Sequence, residues 1–198
     1  FAQGERQGSD GATVLLGALL GAEVACRIAC LIAAPPARSH VGLSVHGVSN
    51  AFGAAAATGK VLGLDEDRMV WALGLAALQA AGLRSGYGTM GTKFIAGHAA
   101  RCGMMAAFLA RDGFTCTEAA IEDPKGFAAV FANPANPEAA VAGLGEHFEL
   151  MQVAFKPYPC GVVIFPAIEA CLQFTAAGTN VERVARVSLR VHPLTLQL

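Results

Sequence analysis

A mainly α-helical body followed by the start of a smaller α+β segment is the fold class this sequence predicts. Three features point to it. Apolar stretches recur with helical spacing and open on the capping aspartates Asp10 and Asp65. Runs of small residues, as in GAAAATG from Gly53 to Gly59, suit helices that pack closely. Only the end of the chain, from Val181, alternates apolar and polar residues as a half-buried strand does. The predicted boundary falls near 150–155, with a helical domain over 1–152 and the beginning of an α+β domain over 153–198.

Residues 10–33 read as the first helix, with Asp10 as N-cap and Pro35 and Pro36 as its stop. Gly17 and Gly21 on it predict close approach by another helix. The stretch is long enough to raise the question of a membrane span. Glu23 and Arg27 lie inside it, however, four residues apart in the order that favours an ion pair. Two charges mid-span are costly in lipid, so a buried or interface helix is the reading. Residues 36–48 read as loop, and Ser49 to Val61 as a tightly packed helix. A third helix over 66–83, capped by Asp65, carries a broad apolar face that includes Met69, Leu73, Ala76 and Leu78.

A glycine-rich loop follows over 82–91, then a helix over 98–110 closed by Gly113. Short helices are expected over 117–120 and 126–131, a loop with a weak helix over 133–147, a strand over 149–155 and a helix over 166–175. The final strand has no partner after it, and the chain opens on Phe1 with neither a methionine nor a basic leader. Both features predict that the chain is part of something longer.

Hydrophobic residues make up 54% of the chain and charged residues 15%, against about 25% charged in ordinary soluble domains. The surplus apolar surface calls for a subunit interface or for further parts of the protein. With a net charge of -1 and no long basic or acidic run, nothing suggests a nucleic-acid groove or a polybasic membrane anchor. The six cysteines follow no disulfide-framework or zinc-finger spacing, which points to a reducing, cytoplasmic setting. Cys26 and Cys30, four apart on a helical face, read as small packed hydrophobes.

Two phosphate-loop lookalikes fail on context. GYGTMG, from Gly86, fits GxGxxG but follows a helical segment where a dinucleotide site requires a strand. GAAAATGKV, from Gly53, has one residue too many between its glycines and Val61 where a magnesium-binding Ser or Thr belongs. His98 and Cys102 are four apart on a helix without an acidic neighbour in sequence, so no metal site is expected. His40, His147 and His192 read as exposed or satisfied histidines. KPYPCG, from Lys156 to Gly161, is different. Prolines on both sides of a tyrosine stiffen the backbone where the helical body ends, which suits a lysine placed at a cleft as well as one in a linker.

Along nearly its whole length the chain resembles the MmgE/PrpD family of 2-methylcitrate dehydratase and cis-aconitate decarboxylase. The blocks that carry the resemblance stand in the family's order: GAEVACR at 21–27, FGAAAATGKVLGLD at 52–65, ALGLAALQAAGL at 72–83, GTMGTKFIAGHAARCGMMAAFLARDGFT at 88–115, and KPYPCGVVIFPAIEA at 156–170. The resemblance implies a helical domain joined to a smaller α+β domain, with the active site in the cleft between them. It implies a homodimer, a small polycarboxylate substrate, and catalysis without metal or organic cofactor. It also implies that site residues, an Asp and a Thr before Phe1 and a Tyr after Leu198, belong to parts outside this chain. The family's chemistry removes a proton next to a carboxylate, coupled to loss of water or carbon dioxide. Such chemistry needs a base, cations for the substrate carboxylates and the enolate-like charge, and an acid.

Carried over by position, Lys156 matches the lysine of the family's KPYP motif, and Tyr158 and Cys160 match the same motif. Thr89 lies in the matching GTM. Elsewhere the chain departs from the pattern. A family histidine falls on Ser44 and a threonine on His46. A family lysine falls on Thr92, with Lys93 next to it. A family histidine falls on Phe165 and an aspartate on Glu169. One position along a helix or strand turns a side chain elsewhere, yet from a loop Lys93 can still reach a site, and His46 can stand in for the histidine replaced by Ser44. Lys156, His46, Lys93 and Tyr158 are therefore the candidate catalytic residues, and Ser44, Thr92, Thr89 and Cys160 the candidate substrate-binding residues. No residue is assigned to a metal. The leading expectation is a cofactor-independent lyase that removes water from a small di- or tricarboxylate. The rivals are a cofactor-free epimerase of an amino or imino dicarboxylate, resembling iminodisuccinate epimerase, and a non-catalytic helical dimerisation fragment.

Overall fold

The computed structural model describes residues 1–191. Its contacts divide into two units, Phe1–Gln152 and a second beginning at Val153. The first unit contains α1 (Ala2–Gln7), α2 (Gly11–Ala33), α3 (Val45–Leu62), α4 (Glu66–Gln79), α5 (Gly91–Arg111), α6 (Phe127–Phe131) and α7 (Pro137–Val141). The second contains α8 (Phe165–Ala176) between two single 3-10 turns, Val162–Ile164 and Val181–Arg183. The mainly helical fold class holds. The capping aspartates act as the sequence predicts: Asp10 accepts from the Thr13 amide at 2.7 Å and Asp65 from the Arg68 amide at 3.0 Å.

α3 is the central helix, packed between α2 and α5, with α4 lying on α3 and α5. Its alanines and glycines make this possible, because backbone can then approach backbone. A Cβ on Gly21 of α2 would stand 2.6 Å from the carbonyl oxygen of Gly53, and one on Gly53 would collide with the carbonyl oxygen of Gly21. Gly103 of α5 is pressed in the same way onto the Ala51 carbonyl of α3. The close approach expected at Gly17 and Gly21 is therefore real, with Gly17 facing Ala57 and Val61. Phe52, Ile32 and Val48 are fully buried around these crossings, and Phe127 of α6 meets Phe52 edge-on at 4.7 Å. Gly53→Ala is expected to destabilise the unit by about 1–3 kcal/mol through overpacking, outweighing the gain of up to about 1 kcal/mol in helix propensity. Urea unfolding checks this, and an unchanged or raised midpoint would contradict it.

Glu23 and Arg27 are buried in α2, 6% and 5% exposed. The guanidinium donates from Nε to the Glu23 carboxylate at 2.6 Å. Its remaining nitrogens donate to the carbonyls of Ala140 at 3.0 Å, Ala142 at 3.1 Å and His147 at 2.7 Å. The second Glu23 oxygen accepts from the Leu150 amide at 2.9 Å. α2 is the one helix among the described residues long and apolar enough to cross a membrane. Its paired charges and its packing on α3 make it a core helix here.

Several expected boundaries move. α1 was not expected. α3 begins at Val45, so the loop predicted over 36–48 is shorter, and α4 stops at Gln79 instead of running to Leu83. α5 starts at Gly91, so the segment before His98 is helix as well. No helix forms over 117–120, where the chain makes turns. The strand expected over 149–155 is a 3-10 turn, Glu149–Gln152, followed by irregular chain, because its Leu150 amide is drawn to Glu23 instead of to a ladder. The strand expected from Val181 is a 3-10 turn, Val181–Arg183, and then chain without regular secondary structure up to residue 191, since no strand among the described residues offers it a ladder. The α+β character predicted for the second unit is thus not seen among its described residues. Residues 192–198, with His192 and the end of that predicted strand, lie outside the described residues. β pairing among the described residues amounts to two isolated bridges, Ser39 with Ala132 and Leu43 with Leu83.

Candidate functional site

The Leu43–Leu83 bridge sets up the polar cluster of the first unit. Around it the Ser44 amide donates to the Gly82 carbonyl at 3.1 Å, and the Arg84 amide to the Gly42 carbonyl at 2.8 Å. Gly47 and Gly82 allow the two segments to touch, since a Cβ on Gly82 would lie 3.1 Å from the Cα of Gly47. The chain entering α3 and the chain leaving α4 are thereby held side by side, and residues distant in sequence meet.

Ser44 is the N-cap of α3 and 1% exposed; its Oγ accepts from the Gly47 amide at 3.3 Å. The same Oγ lies 3.1 Å from the Tyr87 hydroxyl and 3.3 Å from Nε2 of His46. The Tyr87 hydroxyl is 3.2 Å from that Nε2, which closes a triangle of three proton-exchanging groups. The rings of His46 and Tyr87 stack at 5.9 Å. Arg84 places its guanidinium carbon 5.8 Å from the centre of the Tyr87 ring while donating to the Val41 carbonyl at 3.1 Å. Ser44 is buried, Tyr87 half-buried and His46 exposed, so the triangle runs from the core to the surface. The residues just before Ser44 and Tyr87 line a pocket of about 420 Å³ that includes His40, Leu43, Leu83 and Ser85.

Sequence reasoning named Ser44 and His46 but passed over Tyr87 and Arg84. Tyr87 lies within GYGTMG, a stretch noticed for its glycines. Its partner is 41 positions away in sequence, and no local pattern reveals that.

Thr89 and Thr92 are drawn into the turn that leads to α5. Both hydroxyls donate to the Gly86 carbonyl, at 2.7 and 3.1 Å, and the Thr89 hydroxyl accepts from the Gly91 amide at 3.0 Å. Their protons hold the loop, which leaves them lone pairs for anything else. Lys93 is exposed in the first turn of α5 and not in a loop, so its direction is fixed by the helix. His98 lies 3.4 Å from the Cys102 thiol and 3.4 Å from the Arg101 guanidinium. No cluster of three potential metal ligands occurs among the described residues.

In the second unit Lys156 is exposed, and its ammonium donates to the Cys160 carbonyl at 3.2 Å, which closes the KPYPC segment on itself. The Tyr158 hydroxyl donates to the Glu169 carboxylate, and its ring meets Phe165 edge-on at 5.5 Å. The hydrogen bond to Glu169 is the main cause that holds the Tyr158 pKa above the ordinary phenol value. The two positions where the resemblance expects a family histidine and aspartate, Phe165 and Glu169, are thus the two that fix Tyr158. The Cys160 amide donates to the Tyr158 carbonyl at 2.8 Å, and the Cys160 thiol is free of any disulfide.

Comparison with known proteins agrees with the family resemblance. The family model described as MmgE/PrpD N-terminal domain matches residues 1–140. Cis-aconitate decarboxylase of Aspergillus terreus is 37% identical over 124 residues, 59% of this chain and 25% of that protein. The protein of the same description from a named strain of that species matches to the same extent, 37% over 124 residues. The match thus spans a quarter of the length of these relatives.

Proposed function

Because the chain belongs to the MmgE/PrpD family through residues 1–140, we propose that the protein it comes from is a cofactor-independent lyase acting on a small di- or tricarboxylate. The observation that carries this reading is the Ser44–His46–Tyr87 triangle. It stands in the segment where the resemblance expects a site histidine. The likeness to cis-aconitate decarboxylases supports a lyase over other chemistries.

Breaking a bond next to a carboxylate leaves an electron pair that must be spread, and that then takes up a proton or forms a double bond as hydroxide leaves. If carbon dioxide leaves, the remaining carbanion takes up a proton. If water leaves, a proton is first removed from carbon and another is given to the departing hydroxide. His46 is the group assigned to that proton traffic, at Nε2, with Ser44 and Tyr87 holding the ring. Lys156 is assigned to the negative charge of a substrate carboxylate or enolate, as is Lys93 in a supporting role. Tyr158, Thr89, Thr92 and Cys160 complete the assignment as residues that shape the binding segments. The reading includes a homodimer. Leu15, Leu16 and Leu19 of α2, exposed apolar residues, support it.

The test offers cis-aconitate and 2-methylcitrate separately to the native protein and follows the carbon skeleton by NMR. Carbon dioxide and a five-carbon dicarboxylate from the first, or an unsaturated tricarboxylate from the second, is the expected result. Neither substrate changing, under conditions where the protein is folded, would remove the lyase reading.

A further inference from the structure

We propose that Ser44, His46 and Tyr87 form a proton-gated donor: when His46 takes up a proton, the Tyr87 hydroxyl is turned outward to a bound carboxylate. The gate follows from counting protons in the triangle, and its carboxylate partner rests on the lyase reading above.

Three heavy atoms lie within 3.1–3.3 Å of one another. In the neutral tautomer that carries its proton on Nδ1, which the gate requires, the cluster has two hydroxyl protons and an Nε2 lone pair that accepts one of them. Both protons are then held inside. Tyr87 donates to Nε2 and Ser44 to Tyr87, or Ser44 donates to Nε2 and Tyr87 to Ser44. A proton added at Nε2 gives the cluster one donor too many, and one hydroxyl must point away. Ser44 is 1% exposed and its Oγ already accepts from Gly47. A Ser44 hydroxyl aimed away from the cluster would lose its partner in a buried place, which costs about 1–3 kcal/mol. Tyr87 is half-buried and has somewhere to point. The charged state therefore settles as His46 donating to Ser44, Ser44 donating to Tyr87, and Tyr87 donating outward. No covalent bond to the phenol proton breaks; only its direction changes.

The surroundings suit this role. The 84–87 turn supplies Tyr87 and the Arg84 guanidinium over its ring, while α5 brings the apolar Ile95 to the Gly47 side. Charge on His46 and the freed phenol proton would appear together, so an anionic ligand meets both or neither. A base that gains its proton during turnover would in the same event offer a new hydrogen bond to the developing charge.

This chain has two tyrosines, Tyr87 and Tyr158, and in protein labelled with carbon-13 at tyrosine Cζ their signals are assigned by Tyr87→Phe and Tyr158→Phe. In ligand-free protein the Tyr87 signal is expected to move in a single step that coincides with the protonation of His46, followed through the imidazole's own NMR signals. His46→Gln and His46→Asn are expected to abolish that step, and Tyr158 to lack it. A flat Tyr87 signal, or a step that survives in either folded His46 variant, would overturn the gate. Cis-aconitate titrated below the step is expected to bind Tyr87→Phe about ten- to a hundredfold more weakly than wild type, with a smaller difference above it. Equal binding would overturn the donor role. No binding of cis-aconitate by wild type would instead sink the polycarboxylate reading, and the NMR step would still decide the gate by itself.

Discussion

Arg27→Ala is expected to destabilise the first unit by about 3–5 kcal/mol, the usual cost of removing one partner from a buried ion pair. The side chain is 5% exposed and gives its hydrogen bonds to the buried Glu23 carboxylate and to three carbonyls of the 140–147 segment. Its loss strands the Glu23 carboxylate and leaves the carbonyls of Ala140, Ala142 and His147 without that donor. Replacing both charges, as in Glu23→Leu with Arg27→Leu, is expected to cost less than Arg27→Ala alone, because no unpaired charge stays buried. Acid behaviour gives a second readout. Burial raises the Glu23 pKa, but the amides of Leu150 and Glu149 and the Arg27 guanidinium outweigh it, so the net shift is below the ordinary 4.5. The stabilisation from this group is therefore complete above that value and is lost as pH falls through the lower folded one. In Arg27→Ala that acid-linked loss is expected to shrink. Urea unfolding at neutral pH and near pH 3 measures both; a loss under about 1 kcal/mol at neutral pH would show that the pair is not the clamp on the 140–150 segment described above.

Lys156→Ala is expected to lower turnover by about 10²–10³-fold, the size seen when one preorganised charge donor is removed from a transition state. The fold is expected to survive, because Lys156 is exposed and its hydrogen bond is to the nearby Cys160 carbonyl. Pro157 and Pro159 hold the segment without it. Lys156→Arg is expected to restore part of the loss if charge is what matters, and less if a compact ammonium is needed. Steady-state kinetics with cis-aconitate, alongside unfolding curves for each variant, separates these effects. Unchanged turnover in a folded Lys156→Ala would remove this lysine from the mechanism.

Features determined locally were legible in the sequence. Asp10 and Asp65 cap the helices that follow them because a cap needs only an amide three residues on. Gly17 and Gly21 announced a close crossing because glycines one turn apart on an apolar helix leave room for backbone. The start of α3 was less legible: Ser44 is its cap, but valine, histidine and glycine follow, none a strong helix former. What favours helix there is the tie of Ser44 to Gly82, which lies far away in sequence. The alternation over 149–155 and from Val181 was misleading for a related reason. Alternation tells which side chains would share a face, and only a neighbouring strand makes the ladder. The site shows the same divide. Ser44 and His46 could be named from the family resemblance, whereas Tyr87 joins them through the antiparallel contact of the 42–44 and 82–84 segments, which no short motif encodes.

Proton transfer at a carbon beside a carboxylate is the chemistry on which the functional reading stands, and isotope exchange reads it without assuming a product. Native protein is incubated with cis-aconitate or 2-methylcitrate in deuterated water, and the recovered acids are examined by proton and deuterium NMR. Deuterium at a carbon adjacent to a carboxylate, lost in Lys156→Ala and reduced in Tyr87→Phe, is the expected outcome. It would appear on loss of carbon dioxide, on reversible loss of water, or on proton exchange alone. Folded native protein that neither converts either acid nor puts deuterium into it would leave the helical fold and the family membership intact and contradict the enzymatic reading.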